Sequence, residues 1–215
     1  MKKIVITGAL GYIGSELCKL YSGFSWKYEV IALDNRFISE RVNELKRRKI
    51  QFIQADILDI EKIKPYINQA DFVHHLAGIT DVAYVKKDSD KLKDALIEKV
   101  AIEGTGNVLS SMNKNATIIF PSTHVVYEGI NQVKTDIKEE EKTNPILSYS
   151  TSKDINEKQL KRSGKNFVIL RLGSVYGYST DTMRIDIMPN LFSKIASQNG
   201  TIKMFAGGRQ IKSLV

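Results

Sequence analysis

The sequence has little cysteine and no long apolar run, and these absences exclude several classes of protein. Cys18 is the only cysteine among 215 residues, which excludes an internal disulfide. We therefore expect a reducing, cytoplasmic compartment, with Cys18 buried in a helix as a small apolar side chain. No apolar run is long enough to cross a membrane. The run after Met1 extends only over residues 4–6, which predicts a strand rather than a secretion signal. Internal repeats and heptad arrays are also missing, which excludes a repeat protein or a coiled coil.

The charge balance is basic, yet the pattern of charge does not indicate a nucleic-acid protein. A net charge of +8 would suit nucleic acid or an anionic membrane. However, the basic residues are mostly scattered, and the one cluster, residues 46–49, falls at a predicted helix end, where cations complement the helix dipole. No aromatic side chains interleave with it. We therefore expect neither nucleic-acid nor membrane binding.

A glycine-rich turn at residues 7–14 is the stretch around which the chain is organised. It follows a short β-branched run and precedes a helical pattern. Gly8 permits a tight turn, Gly11 lets a pyrophosphate approach the backbone, and Gly14 lets the helix pack close to the strand. The helix N-terminus then offers N–H groups to the anion. An ordinary strand-to-helix turn is the alternative for one glycine triplet, but the context favours dinucleotide binding.

An acidic residue ends the second predicted strand. Asp34 follows Gly14 by twenty residues. A carboxylate in this position hydrogen-bonds an adenosine ribose and repels a 2′-phosphate, which favours NAD over NADP. Arg36 nearby would weaken that preference.

Strand and helix patterns alternate along the chain, which predicts an α/β fold with a doubly wound parallel sheet. The predicted strands are 2–6, 28–33, 50–54, 71–76, 117–120 and 167–171, and the predicted helices are 15–20, 39–48, 60–68, 88–112 and 148–164. Gly104 and Gly106 fall inside the long helix. Because glycine within a helix costs ~1 kcal/mol relative to alanine, they require a packing reason or mark a break.

Seven short motifs follow one another in an order that one family shares. They are T-G-x-x-G-x-x-G from Thr7 to Gly14, Leu33-Asp34-Asn35, Asp56-Ile57, His75-Leu76-Ala77-Gly78, Pro121-Ser122-Thr123-His124-Val125-Val126-Tyr127, Y-x-x-x-K from Tyr149 to Lys153, and Arg171-Leu172-Gly173-Ser174-Val175-Tyr176-Gly177. This series resembles the extended short-chain dehydrogenase/reductases, in particular the NAD-dependent sugar-nucleotide epimerase/dehydratase group, over nearly the whole chain.

The resemblance implies a Rossmann-like fold, NAD as the cofactor and a nucleotide sugar as the substrate. The cofactor-binding residues it implies are Gly8, Gly11, Tyr12, Ile13, Gly14, Asp34, Asn35, Asp56, Ile57, Leu76, Ala77, Gly78, Ser122, Tyr149 and Lys153. It implies that Thr123, Tyr149 and Lys153 are catalytic and that Thr123, Tyr149 and Ser174 contact the substrate.

The chemistry of the tyrosine and the lysine agrees with those roles. Tyr149 and Lys153 are four residues apart and share one face of a helix. A free tyrosine titrates near pH ~10, and a nearby ammonium and the positive nicotinamide of NAD⁺ favour its phenolate, which then serves as a general base. The alternative for this pair alone is a surface pair on an amphipathic helix. Thr123 would hydrogen-bond the substrate hydroxyl.

The two positions after Thr123 distinguish the reactions of the family. The resemblance implies an Asp-Glu pair there in 4,6-dehydratases and a glutamate at the second position in decarboxylases. Here the pair is His124 and Val125, and valine cannot transfer a proton. Dehydration and decarboxylation are therefore disfavoured. We expect structural roles for His124, His74 and His75, and no spacing of histidine, cysteine and acidic residues predicts a metal site.

Three positions depart from the family pattern. Glu128 replaces a glycine, Ala101 replaces an asparagine, and Ser174 replaces an asparagine that often contacts the substrate diphosphate. These departures bear on substrate identity more than on cofactor binding.

The sequence thus predicts an NAD-dependent epimerase acting on a nucleotide sugar, by oxidation at C4 to a keto intermediate and re-reduction. The alternatives are an NAD(P)-dependent sugar-nucleotide reductase or dehydrogenase, and a non-catalytic NAD-binding sensor or scaffold. The resemblance also implies a homodimer formed by the helix at 88–112 and the helix that carries Tyr149. Leu92, Ala95, Leu96 and Val100 form an apolar stripe that fits such an interface, and packing on the sheet explains it equally well.

The end of the chain is expected to hold only part of a second domain. We predict an NAD-binding Rossmann domain over 1–173 and a partial, apparently truncated substrate-binding region over 174–215, with a helix from Met188 and a short strand and turn at 202–210. A site open to water loses positioning and water exclusion. We therefore expect this chain to bind NAD and to turn over nucleotide sugars poorly.

Overall fold

The fold is described from a computed structural model, which covers residues 1–80, 90–130, 132, 134–180, 182–209 and 214–215. The chain forms two compact units, Met1–Arg171 and Leu172–Val215. The predicted assignment of an NAD-binding domain to 1–173 and a substrate-binding region to 174–215 stays a prediction.

A six-stranded parallel sheet forms the framework of the first unit. Its strands are β1 (Lys2–Thr7), β2 (Tyr28–Asp34), β3 (Gln51–Gln54), β4 (Phe72–His75), β5 (Thr117–Thr123) and β6 (Asn166–Leu172). They lie in the order β3-β2-β1-β4-β5-β6. The order reverses between β1 and β4, and ligands of such sheets bind beyond the carboxyl ends of the strands at that point. The predicted α/β class and Rossmann-like topology are confirmed.

Helices connect successive strands. They are α1 (Tyr12–Ser22), α2 (Ser39–Arg47), α3 (Ile60–Ile67), α4 (Lys91–Ser111) and α5 (Ser148–Arg162). Aspartates cap two of them: Asp59 accepts a hydrogen bond from the Lys62 N–H at 3.2 Å, and Asp90 accepts one from the Leu92 N–H at 2.9 Å. The predicted start of the long helix, at Asp88, lies outside the described residues.

The long helix α4 continues through both of its glycines. A Cβ on Gly104 would lie 2.3 Å from Cδ1 of Ile57, so only glycine lets the helix pack this close. At Gly106 the nearest such atom is 4.0 Å away, on Gln159. The predicted packing reason therefore exists at Gly104, and neither glycine breaks the helix.

Two apolar clusters cover the faces of the sheet. Strand β1 serves both, because successive side chains of a strand point to opposite faces: Val5 joins one cluster, and Ile4 and Ile6 join the other. Cys18 packs in the second cluster, as predicted. Burial raises the pKa of the Cys18 thiol to about 12.

The second unit contains one helix, α6 (Met188–Ser197), and a 3₁₀ turn at Phe205–Gly208 among its described residues. The predicted helix from Met188 is confirmed. The strand predicted within 202–210 is wrong for the described part of that segment, and Gln210 lies outside it. Gly207 and Gly208 adopt positive φ angles of 64° and 72°, which turn the backbone away from an extended path.

Across the described residues, the helices are too short or too polar to cross a membrane.

Candidate cofactor and active site

The glycine-rich turn connects β1 to α1 at the middle of the sheet. Gly8 has a φ of +69°, and a Cβ on it would lie 2.8 Å from the backbone nitrogen of Ala77. A Cβ on Gly14 would lie 2.3 Å from the carbonyl oxygen of Gly8. Side chains at these two positions would collide with the protein's own backbone, so glycine lets the turn pack closely against residues 76–77 and against the start of α1.

The first turn of α1 has the properties of an anion site. Gly11 is its N-cap and has no side chain with which to cap the helix, and the predicted cofactor residues Tyr12, Ile13 and Gly14 form the first turn. No acidic side chain lies in this turn. A helix N-terminus without a side-chain cap or a carboxylate suits a phosphate group.

The Asp34 carboxylate is buried at the end of β2, beside the glycine-rich turn. It accepts hydrogen bonds from the Leu10 N–H at 2.9 Å and from the Arg36 N–H at 3.1 Å. The Arg36 guanidinium adds a bidentate ion pair, with Nε at 3.0 Å and Nη2 at 3.3 Å. The structure thus places Asp34 at the end of the second strand, as the sequence predicts. Its carboxylate is already paired with the Arg36 guanidinium.

Asp56 and Ile57, two of the predicted cofactor-binding residues, follow β3. Asp56 accepts a hydrogen bond from the Asn35 side-chain amide at 3.0 Å and one from the Leu58 N–H at 2.9 Å. The two predicted cofactor residues Asn35 and Asp56 are therefore brought together. The Ile57 side chain points into the apolar core against Gly104, which leaves only its backbone for a ligand.

A buried histidine fixes the loop that follows β4. His75 Nδ1 shares a hydrogen bond with the Thr7 hydroxyl at 2.9 Å, and Nε2 shares one with the Thr105 hydroxyl at 3.0 Å. Thr7 Oγ1 also accepts from the Ala77 N–H at 3.1 Å. Burial and the nearby Lys153 charge lower the His75 pKa to about 3, so the ring is neutral. The network holds the backbone of residues 76–78 next to Gly8.

Tyr149 and Lys153 lie on one face of α5, as their spacing predicts. The Lys153 Nζ donates to the Pro121 carbonyl oxygen at 2.8 Å, lies 4.4 Å from the centre of the Phe120 ring and 5.9 Å from that of the Tyr149 ring. Burial lowers the pKa of Lys153 to about 8, while the Glu157 charge opposes that shift. The pair is therefore a partly desolvated ammonium beside a phenol.

One small cavity brings together several of the predicted residues. It is lined by Tyr149 and Lys153 of α5 and by the predicted cofactor residues Leu76, Ala77 and Gly78. The glycine cradle, the helix N-terminus, Asp34 and this cavity all belong to the first unit. They place a phosphate-binding type of turn and the Tyr149–Lys153 pair in the same unit.

The remaining predicted residues have structural contacts of their own. The Ser122 hydroxyl donates to Glu157 at 2.6 Å, and the Thr123 hydroxyl oxygen accepts from the Val125 N–H at 3.3 Å. Both lie at the carboxyl end of β5, on the side of the sheet where the cradle opens. Ser174 belongs to the second unit, where its backbone pairs with Leu214.

Three further residues near Tyr149 have roles that the sequence did not assign. Glu128 accepts hydrogen bonds from the Ile146 and Leu147 N–H groups, both at 2.8 Å, and from the Ser150 hydroxyl. It therefore fixes the residues that lead into α5 from a distant part of the chain. In the sequence, the presence of Glu128 in place of the family's glycine was the sign that this position is unusual.

The other two lie on α5. Glu157 is buried and accepts from Arg171 Nε at 2.9 Å and Nη2 at 2.6 Å. The spacing of four from Lys153 to Glu157 was the signal for this face. Ser152 lines the cavity, and its buried Oγ has no hydrogen-bond partner within the described part of the chain. No sequence signal marked Ser152.

The chain is similar to one known protein family and to several known proteins. The family model described as "NAD dependent epimerase/dehydratase family" matches residues 4–215. The chain is 30% identical to a UDP-glucose 4-epimerase of Mycoplasma genitalium, over 81% of this chain and 53% of that protein. It is 28% identical to a dTDP-D-glucose 4,6-dehydratase of Dictyostelium discoideum, over 82% of this chain and 44% of that protein.

A solved structure has a fold similar to that of this chain. The crystal structure of UDP-glucuronic acid 4-epimerase from Bacillus cereus, in complex with UDP-glucuronic acid and NAD, matches with a TM-score of 0.79 and 26% identity. The match covers 99% of this chain and 68% of that one. The chain spans about half the length of the curated relatives it matches.

Proposed function

We propose that this chain, which belongs to the NAD dependent epimerase/dehydratase family, acts on a nucleotide sugar as an NAD-dependent 4-epimerase. The family resemblance predicted from the seven motifs is confirmed, and the family is NAD-dependent. The observation that carries the proposal is the convergence of Tyr149 and Lys153 with the loop of residues 76–78 on one cavity. Relatives named as UDP-sugar 4-epimerases support it.

The residues proposed to hold NAD lie along the carboxyl edge of the sheet. The backbone of residues 8–14 would hold the pyrophosphate, Asp34 the adenosine ribose and Asp56 the adenine. Residues 76–78 and Lys153 would hold the nicotinamide riboside. Ser152 offers an unpartnered buried hydroxyl in the same cavity. These assignments require Arg36 to release part of the Asp34 carboxylate.

Tyr149 is the proposed general base. It would take the proton from the 4-hydroxyl of the sugar, and the neighbouring Lys153 ammonium stabilises the phenolate that this requires. Thr123 would hydrogen-bond the same hydroxyl. NAD, when bound, would supply a hydride acceptor and donor at C4 of the sugar. Return of the hydride to the opposite face of the keto sugar, with return of the proton from Tyr149 to its oxygen, would invert C4 and leave no net change in the cofactor.

Two neighbouring side chains favour epimerisation over the other reactions of the family. Thr123 is followed by His124 and Val125 in a short 3₁₀ turn. Valine has no group that transfers a proton, so acid–base elimination of water lacks a residue there. Epimerisation needs no proton-transfer group beyond Tyr149.

A direct assay tests the proposal. The protein is incubated with NAD⁺ and a panel of UDP- and GDP-sugars, and C4 epimers are sought by NMR. We expect a C4 epimer from at least one sugar, and we expect Tyr149→Phe to lose turnover while it retains NAD binding. Unchanged turnover in Tyr149→Phe would contradict the assignment. Stoichiometric change in nicotinamide absorbance would instead indicate a reductase or dehydrogenase.

The departures from the family pattern at Glu128, Ala101 and Ser174 support a second candidate function. This is an NAD-binding sensor or scaffold without catalysis. That candidate predicts a thermal shift with NAD and none with any nucleotide sugar. A clear second shift with a nucleotide sugar would exclude it.

We also propose a homodimer through α4 and α5. Leu92 and Leu96 on α4 are 85% and 50% exposed, whereas Val100 packs against the core. Two exposed leucines one turn apart are suited to a helix–helix contact. A monomer mass in light scattering would contradict this.

A further inference from the structure

We propose that Arg36, assisted by Arg41, forms a site for the 2′-phosphate of NADP(H), so that the chain binds NADP(H) as well as NAD(H). The inference rests on the proposed function, since that proposal places the adenosine ribose at Asp34. It concerns a ligand group that Asp34 alone would repel.

The Asp34 carboxylate has no acceptor site to spare for a ribose. Its two oxygens accept from the Leu10 N–H, the Arg36 N–H, Arg36 Nε and Arg36 Nη2, within 2.9–3.3 Å. An ionised carboxylate offers about four lone-pair sites, so these four donors fill them. A ribose 2′-hydroxyl that donates to Asp34 must first displace the guanidinium. A 2′-phosphate makes no such demand, because it has no 2′-hydroxyl proton to donate.

The charge at this position is balanced instead of negative. The Asp34 side chain is 3% exposed and its charge is paired with Arg36, whose side chain is 53% exposed. A ligand can therefore reach the guanidinium while the carboxylate stays covered. The repulsion that an unpaired aspartate exerts on a 2′-phosphate is thus largely cancelled.

A second arginine approaches the same turn from α2. Arg41 Nη1 donates to the Leu10 carbonyl oxygen at 2.6 Å, and the N–H of Leu10 is the group bound to Asp34. The Asp56 carboxylate, which contacts Asn35, accepts from the Asn35 side-chain amide and the Leu58 N–H. Two guanidinium groups therefore border one turn, and guanidinium binds phosphate oxygens bidentately.

The experiment compares the reduced cofactors directly, with no sugar and no turnover. NADH and NADPH are titrated separately into the protein, and binding is followed by nicotinamide fluorescence and calorimetry. We expect the Kd for NADPH to lie within about tenfold of that for NADH. Arg36→Leu should weaken NADPH by about tenfold or more and leave NADH unchanged or tighter. Arg36→Lys should fall between, because it keeps the charge and loses the fork.

Arg47→Leu is the matched control. Arg47 also lies on α2, is 74% exposed and pairs with Glu44 at 3.2 Å, so its removal should change neither affinity. Melting temperatures of all variants report on folding.

NADPH binding about 100-fold weaker than NADH in the unchanged chain would overturn the inference, as would equal weakening of both cofactors by Arg36→Leu. Binding of neither cofactor would overturn it together with the proposed function. Absence of epimerase turnover, with the expected binding pattern intact, would count against the proposed function alone.

Discussion

The Ile57 side chain lies directly against the backbone of Gly104, where a Cβ would meet its Cδ1 at 2.3 Å. This contact joins α4 to the loop that carries Asp56, and so couples a helix of the core to the edge where the adenine is proposed to bind. It also explains why a residue with poor helix propensity stands in the middle of a 21-residue helix.

Two glycine-to-alanine variants on α4 should therefore have opposite effects. Gly104→Ala forces Ile57 out of its place and should lower the free energy of unfolding by ~1–3 kcal/mol. Gly106→Ala has space, with the nearest atom 4.0 Å away, and should raise it by ~0.5–1 kcal/mol. Urea denaturation measures both. Equal changes in the two variants would show that the Ile57 contact is not what distinguishes them.

Glu128→Gln should loosen the start of α5. The carboxylate accepts two backbone N–H groups and the Ser150 hydroxyl, and weakening these charge-assisted bonds should cost ~1–3 kcal/mol. We expect faster hydrogen exchange at the amides of Ile146 and Leu147. The control is Glu141→Gln, which removes an exposed ion pair with Lys134 and should cost little. Similar losses in both variants would show that Glu128 does not hold the start of α5.

Lys153 should make the stability of the cofactor-free protein depend on alkaline pH. Because burial lowers its pKa to about 8 from an ordinary 10.5, the folded protein releases this proton first. Between those pH values the unfolded chain binds more protons, so the free energy of unfolding rises with pH. Lys153→Met should lack this rise, measured as the difference between the two proteins by urea denaturation from pH 7 to about 10.5.

The control for that measurement is Lys158→Met on the same helix, whose side chain is 57% exposed and pairs with Asp154. It should follow the unchanged protein over that range. A Lys153→Met profile parallel to that of the unchanged protein would disprove the lowered pKa.

The ion pair between Glu157 and Arg171 should confer stability that acid removes. Burial alone would raise the Glu157 pKa, but hydrogen bonds from Arg171 and Ser122 and the Arg171 charge outweigh it and hold that pKa below its usual range. Glu157→Gln should cost ~3–5 kcal/mol at neutral pH, because Arg171 loses its carboxylate partner and keeps only the neutral oxygens of Tyr127 and Glu139. The deficit should vanish as the pH falls through the lowered pKa, since the unchanged protein then protonates Glu157.

A second variant separates the pair from simple packing. The double variant Glu157→Gln with Arg171→Met removes both charges and should be more stable than Glu157→Gln alone. The single variant Arg171→Met completes a double-mutant cycle, in which additive losses would mean that the two side chains do not interact.

Local patterns determined most of what could be predicted. The alternation of Ile4, Val5 and Ile6 and the glycine turn are short-range signals, because neighbouring residues along the chain decide strand faces and turn geometry. Each described strand and helix of the first unit accordingly lies within three residues of its predicted bounds. Tyr149 and Lys153 share a face for the same local reason.

Contacts between distant residues could not be read in that way. The Glu128 carboxylate accepts from N–H groups about twenty residues later in the chain. The oxygens of the Asp34 carboxylate are occupied by donors from Arg36 and by the N–H of Leu10. Neither contact produces a periodic pattern of residues in the sequence. The prediction of a strand within 202–210 was wrong for a different reason. Its apolar start, Ile202, is followed by Gly207 and Gly208, whose positive φ angles are incompatible with an extended strand. Backbone conformation therefore outweighed hydropathy.

The central position of β1 has a consequence for how the chain is made. Strand β1 leaves the ribosome before the other strands of the sheet, yet Ile4 pairs with Phe72, which is synthesised 68 residues later. At about 5–20 residues per second this strand waits on the order of 3–14 s for its partner. During that time Ile4, Val5 and Ile6 have only β2 to pair with. The nascent chain is therefore exposed to aggregation and to chaperones until β4 emerges.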